Sequence, residues 1–268
     1  MLVVTLGDLL LDVIVRLREP LATDSDADAE TLTTPGGQAA NVAAWVVAVG
    51  GAARCVARRG DDPTGTALAA ELVARGVELA GPTDGLSGVV VSIVGPDGER
   101  TMASDRGTAT LLEADDLDPT WFACDCLHIS GYALLASPID SAAQRAAELA
   151  RSHGARVSVD LSAWTRIRAQ GAERFRSRLE QLAPDTVFGN EAEWDEVGAV
   201  GATRVIKRGA AGFDIVRGGA SERCQARDAS VVDTTGAGDA LAAGFLVGGP
   251  GLALDAAARC IAKVGAMP

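Results

Sequence analysis

The sequence predicts an α/β fold built on a mostly parallel sheet that is covered by helices. The 268-residue chain is 48% apolar and 22% charged, a composition that supports a sizeable buried core. Short apolar runs alternate with longer segments rich in Ala, Leu and Arg, which is the pattern of strands joined by crossover helices. At roughly 150 residues per domain the length fits two domains, and it also fits one large α/β domain.

The predicted elements alternate along most of the chain. Short β-rich runs predict strands at residues 2–7, 53–57, 126–130, 156–160, 186–188 and 204–207. Longer segments predict helices at residues 38–49, 65–75, 141–153, 172–182, 237–247 and 252–264.

Two stretches interrupt this alternation and predict additional β-structure. Residues 13–17 predict a short strand. An acidic loop at 23–30 and a second extended segment come after it. Residues 87–104 predict a β-hairpin that turns at Gly95-Pro96-Asp97-Gly98. Two such insertions can pair into one small sheet that acts as a lid. The predicted domains are an α/β core of residues 1–12, 35–86 and 105–268, and a β-lid of residues 13–34 and 87–104.

Charge and cysteine content exclude several classes of protein. The 24 Lys and Arg against 36 Asp and Glu give a net charge of −12, which disfavours nucleic acid and anionic membranes as partners. The five cysteines are an odd number without zinc or redox spacing, so we expect reduced thiols in a cytoplasmic protein. No uninterrupted apolar run reaches the roughly 18 residues of a membrane span, and the first residues predict a strand instead of a signal peptide.

The strongest chemical signal is the sequence Asp233-Thr234-Thr235-Gly236-Ala237-Gly238-Asp239. Its two glycines let the backbone turn tightly into a helix that begins near Ala237, so free N–H groups of the first turn favour a bound phosphate. A carboxylate at Asp239 beside that anion is costly unless it accepts a proton from a hydroxyl that attacks the phosphoryl group. The alternative is that Asp239 only complements the helix dipole.

A second glycine-containing helix start lies near the N-terminus, in Thr34-Pro35-Gly36-Gly37-Gln38-Ala39-Ala40-Asn41. With both motifs in this order, the chain resembles the ribokinase-like (PfkB) family of carbohydrate and nucleoside kinases. Smaller motifs extend the resemblance along essentially the whole chain, at Gly7-Asp8, 60–65, 190–193 and 207–212. The resemblance implies a three-layer α/β/α sandwich with a mostly parallel central sheet and a small β-sheet lid.

The resemblance also implies an ATP-dependent kinase with Asp239 as general base. The N–H groups of Gly236, Ala237 and Gly238 would form the anion hole for the transferred phosphoryl group. Such a transfer depends on positioning and charge neutralisation more than on covalent help from the protein.

Further positions are implied to face the nucleotide and the metal. Asn190 and Glu193 match the element that holds Mg²⁺ and phosphates largely through water, the alternative being a capping Asn with an exposed Glu. Lys207 stands where many members have Thr, and it either contacts phosphate or lies at a solvated strand end. The remaining positions are Gly209, Gly212 and Thr234 for the nucleotide, and Asp233 for an optional monovalent cation such as K⁺.

On the acceptor side, the resemblance implies that Asp12 binds sugar hydroxyls and that Gly36, Gly37 and Asn41 complete that wall. Asp12 as an ordinary strand-end residue is the alternative. Arg106 returns from the predicted hairpin, where it either clamps an anionic group of the substrate or pairs with a carboxylate at the domain seam. An Arg106 that faces the ligand would favour an acidic sugar such as a 2-keto-3-deoxy-sugar acid.

One segment departs from the family pattern. Where many members have a sequence close to Asp-Pro-Asn-x-Arg, this chain has Asp160-Leu161-Ser162-Ala163-Trp164, so Ser162 replaces the usual Asn and the Arg is absent. The substrate of any one relative therefore does not transfer to this chain.

We therefore predict a Mg²⁺-requiring, ATP-dependent kinase of a small sugar or sugar acid. A nucleoside kinase is the first alternative, although one Tyr, five Phe and four Trp offer few flat walls for a base. A non-catalytic sugar sensor would not need Asp239, and a dinucleotide oxidoreductase would need a GxGxxG turn that the first strand lacks. The resemblance also implies a homodimer through the lid, and repulsion between two copies of the acidic loop at 23–30 is the alternative.

Overall fold

The computed structural model describes every residue from Met1 to Pro268. In chain order the strands are β1 (Leu2–Leu6), β2 (Leu10–Leu17), β3 (Ala29–Gly36), β4 (Ala52–Val56), β5 (Glu78–Ala80), β6 (Gly88–Val94), β7 (Arg100–Asp105), β8 (Cys126–Ser130), β9 (Arg156–Asp160), β10 (Thr186–Asn190), β11 (Thr203–Lys207), β12 (Phe213–Arg217) and β13 (Ala220–Cys224). The helices are α1 (Gln38–Ala48), α2 (Pro63–Ala74), α3 (Ile139–Ser152), α4 (Trp164–Gln170), α5 (Ala172–Leu182), α6 (Glu191–Val197) and α7 (Ala237–Ile261).

Nine strands form one central sheet in the order β13-β12-β11-β10-β9-β8-β1-β4-β5. The seven strands from β11 to β5 pair in parallel, and β12 and β13 add an antiparallel edge. The register sets Asn190 at the end of β10 opposite Lys207 at the end of β11. The α/β class with a mostly parallel central sheet is therefore confirmed, and the strands bring their carboxyl ends to one edge.

Helices cover both faces of this sheet, which gives the predicted three layers. Residues of α1, α2 and α7 share one apolar cluster with the sheet, and residues of α3, α4, α5 and α6 share the other. Alanines on α1 and α7, including Ala43 and Ala243, are fully buried, so these two helices approach closely. Trp45 of α1 donates its indole N–H to the carbonyl of Ala266 over 2.7 Å and thereby fixes the C-terminal segment against α1.

A separate four-stranded sheet has the order β3-β2-β6-β7. Its central strands β2 and β6 pair in parallel, whereas the outer pairs are antiparallel. The two insertions thus pair into one small sheet, as predicted. Alternate residues such as Asp12, Ile14, Val90 and Arg100 face a groove beneath it. The division into a core and a lid at the stated boundaries stays a prediction.

Five elements escape the sequence prediction, for two physical reasons. The helices α4 and α6 have seven residues each, too few to show a helical period. The strand β5 has three residues, and β12 and β13 form an edge hairpin whose outer strand is exposed and polar. The range given for α7 contains the two predicted C-terminal helices, which Gly249 separates with its non-helical φ of 77° and ψ of −162°; the second of them ends at Ile261.

The segment α7 is apolar enough to resemble a membrane-spanning helix. Length and composition alone would allow this helix to cross a membrane, because an 18-residue window reaches a mean hydropathy of 1.5. The prediction of no span rested on uninterrupted apolar runs, which an averaged window does not require. In the structure the buried residues of α7 pack in the same apolar cluster as α1, as in the core helix of a globular domain.

Candidate active site

A cavity of about 580 Å³ lies at the edge where the parallel strands end. The residues that end or follow β1, β9, β10 and β11 line it, together with the first turn of α7 and the inner face of the small sheet. A second groove of about 630 Å³ continues beneath the small sheet. Crevices at the carboxyl ends of parallel strands are where open α/β sheets bind their ligands.

The first turn of α7 closes one side of the cavity. Gly236 has a φ of 78°, and a Cβ at this residue would lie 2.6 Å from the Cα of Ala266. The first main-chain bond of the helix runs from the N–H of Ala240 to the carbonyl of Gly236, so the N–H groups of Gly238 and Asp239 have no acceptor within the helix. This end therefore carries the partial positive charge that suits an anion.

Two residues of the predicted anion hole differ in their present contacts. The N–H of Ala237 already donates to the carbonyl of Thr234 over 3.3 Å, a contact that the sequence did not indicate. Thr234 itself lines the cavity, next to Gly236. The N–H of Gly238 is consequently the better placed donor of the two for an anion.

Asp239 lies in the first turn of α7 and faces the cavity. The side-chain amide of Asn41 donates a hydrogen bond to its Oδ2 over 2.8 Å. Burial, together with the negative charge of Asp160, raises the pKa of Asp239 to about 7, although the Asn41 bond and the charge of Lys207 act in the opposite direction. A carboxyl group with a pKa near neutrality can take up and release a proton at physiological pH.

Lys207 is not at a solvated strand end, which was one of its two interpretations. Its Nζ donates to both carboxylate oxygens of Asp160, over 2.9 and 2.8 Å, and its side chain is 16% exposed. Burial is the largest single effect and disfavours the charged amine, but the carboxylates of Asp160, Glu193 and Asp239 together outweigh it, so the pKa of Lys207 is raised. The lysine therefore keeps its positive charge in the cavity.

Asn190 and Glu193 form a reciprocal cap at the start of α6. The Asn190 side chain accepts from the N–H of Glu193 over 3.0 Å, and both the N–H and the amide of Asn190 donate to the Glu193 carboxylate over 2.8 Å. Asn190 is thus a capping residue, as the alternative interpretation predicts. Glu193 is not exposed, as that interpretation requires: it is buried at 5% exposure and lines the cavity. Burial raises the pKa of Glu193 to about 7.

Gly209 and Gly212 lie apart from the other predicted residues. Both belong to the turn between β11 and β12 and take positive φ angles of 54° and 86°. A Cβ at Gly212 would overlap the main chain after β13, whereas Gly209 has open space beside it. The structure places both outside the lining of the 580 Å³ cavity.

The acceptor wall is built where β2 and β3 meet α1. The carboxylate of Asp12 lies directly over Gly36, where any Cβ would overlap it. Burial and the charge of Asp8 raise the pKa of Asp12 to about 6. Gly37 precedes α1 with a φ of 96°, and a Cβ there would lie 2.5 Å from the carbonyl oxygen of Asp8. These glycines are therefore required by the close approach of neighbouring chain segments.

Arg106 pairs with a carboxylate at the seam between the two sheets, in agreement with one of its two interpretations. Its guanidinium is ion-paired with the buried Asp8 and stacks on the Tyr132 ring at 3.6 Å from the ring centroid. Arg106 also lines the 580 Å³ cavity, and one oxygen of Asp8 has no hydrogen-bond partner. The pair is thus already oriented towards the space that a substrate would fill.

Asp233 organises the loop before α7. Its Oδ1 accepts from the N–H and hydroxyl of Thr235 over 2.9 and 2.7 Å, and its Oδ2 accepts from the N–H of Gly265 over 3.0 Å. Although burial acts in the opposite direction, these bonds lower the pKa of Asp233. Both oxygens are engaged in closing the loop, and Arg100 of the small sheet donates to the hydroxyl of Thr235.

Several cavity residues were absent from the predicted site. Asp8 and Asp160 follow or end parallel strands, so the general location of ligand sites at strand ends could have indicated them. Tyr132 is the single tyrosine of the chain, and no local pattern connects it with Arg106. The position of Arg100 depends on the pairing of the small sheet, which one sequence does not specify.

Comparison with protein families settles the relationship. Residues 1–259 match the model of the pfkB family carbohydrate kinases. The chain belongs to this family. A fructokinase from Escherichia coli is 30% identical over 250 residues, which cover 83% of this chain and 79% of that protein. A fructokinase from Klebsiella pneumoniae is 31% identical over 249 residues with the same coverage. This pfkB family member is an ATP-dependent carbohydrate kinase.

Solved structures have the same fold as this carbohydrate kinase. The adenosine kinase from Sinorhizobium meliloti superposes with a TM-score of 0.88 at 25% identity and covers 99% of this chain and 95% of its own. An uncharacterised sugar kinase from Pyrococcus horikoshii, solved in complex with ATP, superposes with a TM-score of 0.87 at 22% identity, with 99% and 95% covered. The ribokinase-like architecture inferred from the motifs is therefore confirmed.

Proposed function

We propose that this kinase transfers the γ-phosphoryl group of ATP to a hydroxyl of a small sugar or sugar acid, with Asp239 as the general base. The observation that carries the proposal is the position of Asp239, which faces the cavity from the first turn of α7 with a pKa of about 7. A non-catalytic sensor has no use for a proton acceptor beside an anion site.

Asp239 accepts the proton of the acceptor hydroxyl as the hydroxyl oxygen bonds to the γ-phosphorus. The bond from this phosphorus to the oxygen that bridges to the β-phosphate breaks, and ADP leaves with that electron pair. The free N–H groups of Gly236 and Gly238, with that of Ala237 after it exchanges its bond to Thr234, stabilise the charge on the phosphoryl oxygens. Asn41 keeps the carboxylate of Asp239 oriented.

The nucleotide side would be formed by Asn190, Glu193, Lys207 and Thr234, which all line the cavity. Mg²⁺ fits the oxygen groups of Asn190, Glu193 and Thr234, because it retains several waters and needs few direct carboxylates; Glu193 would hold it through water. When bound, the ion neutralises phosphate charge. Asp233 fits a monovalent cation poorly, because both of its oxygens already accept hydrogen bonds.

Two further predicted positions belong to the same side. We propose that Gly209 and Gly212 shape the turn after β11 under the nucleotide, although they lie outside the lining of the cavity. Their role is then to set the path of the backbone, with no side chain of their own to offer.

The acceptor side would be formed by Asp12, Gly36, Gly37, Asn41 and Arg106. Asp12 and Asn41 offer acceptors and donors to hydroxyl groups, and the two glycines bring the backbone close. If the ion pair between Arg106 and Asp8 opens, Arg106 would bind a carboxylate on the substrate. A sugar acid therefore stays among the candidate substrates. The fructokinase relatives favour a sugar, whereas the adenosine kinase neighbour keeps a nucleoside as the alternative.

A substrate panel tests this proposal. ADP release with Mg-ATP is measured against ketoses, aldoses, keto-deoxy sugar acids and nucleosides, with the Asp239→Asn variant in parallel. We expect one acceptor class to give turnover, and Asp239→Asn to lower kcat by about 10² to 10⁴ while sugar binding persists. Near-normal turnover in this variant would show that Asp239 is not the base, and nucleotide and sugar binding without turnover on any acceptor would favour a sensor.

We also propose a cytoplasmic location, in keeping with five free cysteines, and a homodimer through the small sheet. Half-buried apolar residues on the outer face of that sheet, such as Val13 and Val91, support the dimer, whereas the acidic loop at 23–30 opposes it. Sedimentation at low and high salt separates the two effects, because salt screens the repulsion between the loops. A monomer at both salt concentrations would contradict the dimer.

A further inference from the structure

We infer that Lys207 binds the γ-phosphoryl group with its one free ammonium donor, and that Asp160 is a positioning residue that holds the ammonium for this purpose. The inference rests on the proposed kinase function, and it gives the lysine a defined partner among the phosphates. It also gives Asp160 a role that involves no contact with substrate.

The use of lysine in this chain is exceptional. The sequence contains twenty-two arginines and only two lysines, Lys207 and Lys263. The lysine at the end of β11 thus occurs in a chain whose positive charges, apart from Lys263, are all arginines. Lysine offers a compact point charge on a flexible stem, whereas arginine offers a planar fork of donors. The site at β11 thus has a use for a small cation.

The geometry around Lys207 leaves one donor unused. An ammonium carries three N–H donors, and two of them are directed at the two oxygens of Asp160, at 2.9 and 2.8 Å. A Cβ at Gly238 would lie 3.1 Å from Nζ, so the ammonium rests against the first turn of α7 in space that only a glycine leaves open. Lys207 therefore lies beside the N–H groups that would receive the transferred phosphoryl group.

The charges of the site call for a cation at this place. Three carboxyl groups, those of Asp160, Glu193 and Asp239, lie near Lys207 and line the same cavity. Three arginines line the same cavity: Arg106 pairs with Asp8, Arg100 donates to Thr235, and Arg166 lies on α4. Lys207 is the one of these cations that rests against Gly238 in the first turn of α7, where its charge can offset the negative charge of an incoming phosphate.

The competing view is that Lys207 only neutralises the buried Asp160. Binding measurements separate the two roles, because a contact to the γ-phosphate affects ATP and not ADP. Affinities for ADP and for a non-hydrolysable ATP analogue are measured by calorimetry with Mg²⁺ and no acceptor, in the wild-type enzyme and in Lys207→Met. Lys263→Met is the matched control, since it removes the other lysine.

We expect Lys207→Met to lower the affinity for the ATP analogue by about 10- to 100-fold, the range for a hydrogen bond to a charged group. The affinity for ADP should change by less than about threefold. Lys263→Met should change neither. Because Lys207→Met leaves the buried Asp160 carboxylate unpaired, the double variant Lys207→Met with Asp160→Asn provides a test in which that carboxylate is also neutral. Equal weakening of both nucleotides, or no weakening in either variant, would overturn the inference.

A second measurement needs no variant of the site. In protein labelled with [¹⁵N]lysine, only two side-chain ammonium signals exist, and Lys263→Met assigns them. The Lys207 signal should shift with the ATP analogue and not with ADP, and equal shifts with both would again overturn the inference. Activity on the substrate panel is scored separately, so enzyme that binds the analogue through Lys207 but phosphorylates no acceptor would refute only the proposed reaction.

Discussion

Asp239 shares its hydrogen bond with Asn41 and its electrostatic environment with two further carboxylates and one lysine. A general base must be deprotonated to work, and burial raises the pKa of this carboxyl group to about 7. Its ionised fraction therefore falls as the pH drops below 7. We expect kcat/KM to rise with pH through about 7 and then to level off, which a pH–rate profile of the wild-type enzyme measures.

The variant Asn41→Ala assigns this inflection to Asp239. The hydrogen bond from Asn41 stabilises the ionised carboxylate, so its loss should raise the pKa of Asp239 and move the inflection to higher pH. Ser162→Ala serves as the control, because Ser162 bonds Gln38 and not Asp239. An unchanged inflection in Asn41→Ala would assign it to another group, for which the buried Glu193 is the first candidate.

At the scale of single residues, the sequence predicts which residues take part in the chemistry better than it predicts which side chains contact each other. The motif from Asp233 to Asp239 indicates both the anion site and its base, and all of these residues meet at one helix start. The ion pair of Lys207 with Asp160 joins residues 47 apart, and that of Arg106 with Asp8 joins residues 98 apart. Such partners depend on strand order and register, which side-chain patterns along one chain do not contain.

At the scale of the elements, the start of α7 depends on the conformation of Gly236. We expect Gly236→Ala to lower the free energy of unfolding by about 1–3 kcal/mol and to impair turnover, because Ala would be strained at a φ of 78° and its Cβ would collide with Ala266. Thermal denaturation and kcat measure these effects.

Gly249, at the break within α7, provides the control. It has a φ of 77°, but a Cβ there has no neighbour within 4 Å. Gly249→Ala should therefore carry the backbone strain alone and leave kcat unchanged. Equal losses of turnover in the two variants would mean that backbone strain in α7, and not the collision with Ala266, decides activity.

The elements themselves were predictable where their patterns were long. The buried parallel strands and the helices α1, α3 and α5 follow from apolar runs and helical spacing. The prediction fails for α4 and α6, which are too short, and for β12 and β13, which are stabilised by their place at the sheet edge and not by an apolar pattern. These failures matter because α4 and α6 both begin at the cavity.

At the scale of the whole molecule, Arg100 connects the small sheet to the loop before α7. Its bond to the hydroxyl of Thr235 holds the sheet over the cavity. We expect Arg100→Ala to loosen this contact, to raise KM for the sugar and to raise ATP hydrolysis without acceptor by about three- to tenfold, the equivalent of one hydrogen bond. Phosphate release with and without sugar measures both changes.

The control for this variant lies on the same sheet. Arg18 follows β2, pairs with Glu30 in an exposed position and lines neither of the two grooves. Arg18→Ala should leave hydrolysis and KM unchanged, because exposed ion pairs contribute little. If both variants hydrolyse ATP at the wild-type rate without acceptor, the small sheet does not control access of water to the site.

The bond between Asn41 and Asp239 spans 198 residues of the chain. During synthesis Asn41 leaves the ribosome long before Asp239, so a nascent chain that stops before Asp239 cannot contain the proposed base with its partner. A polypeptide that stops before α7 retains all thirteen strands but has neither the proposed base nor the proposed anion site. Recovery of activity on refolding should therefore follow the docking of the last helix, which makes turnover a reporter of complete folding.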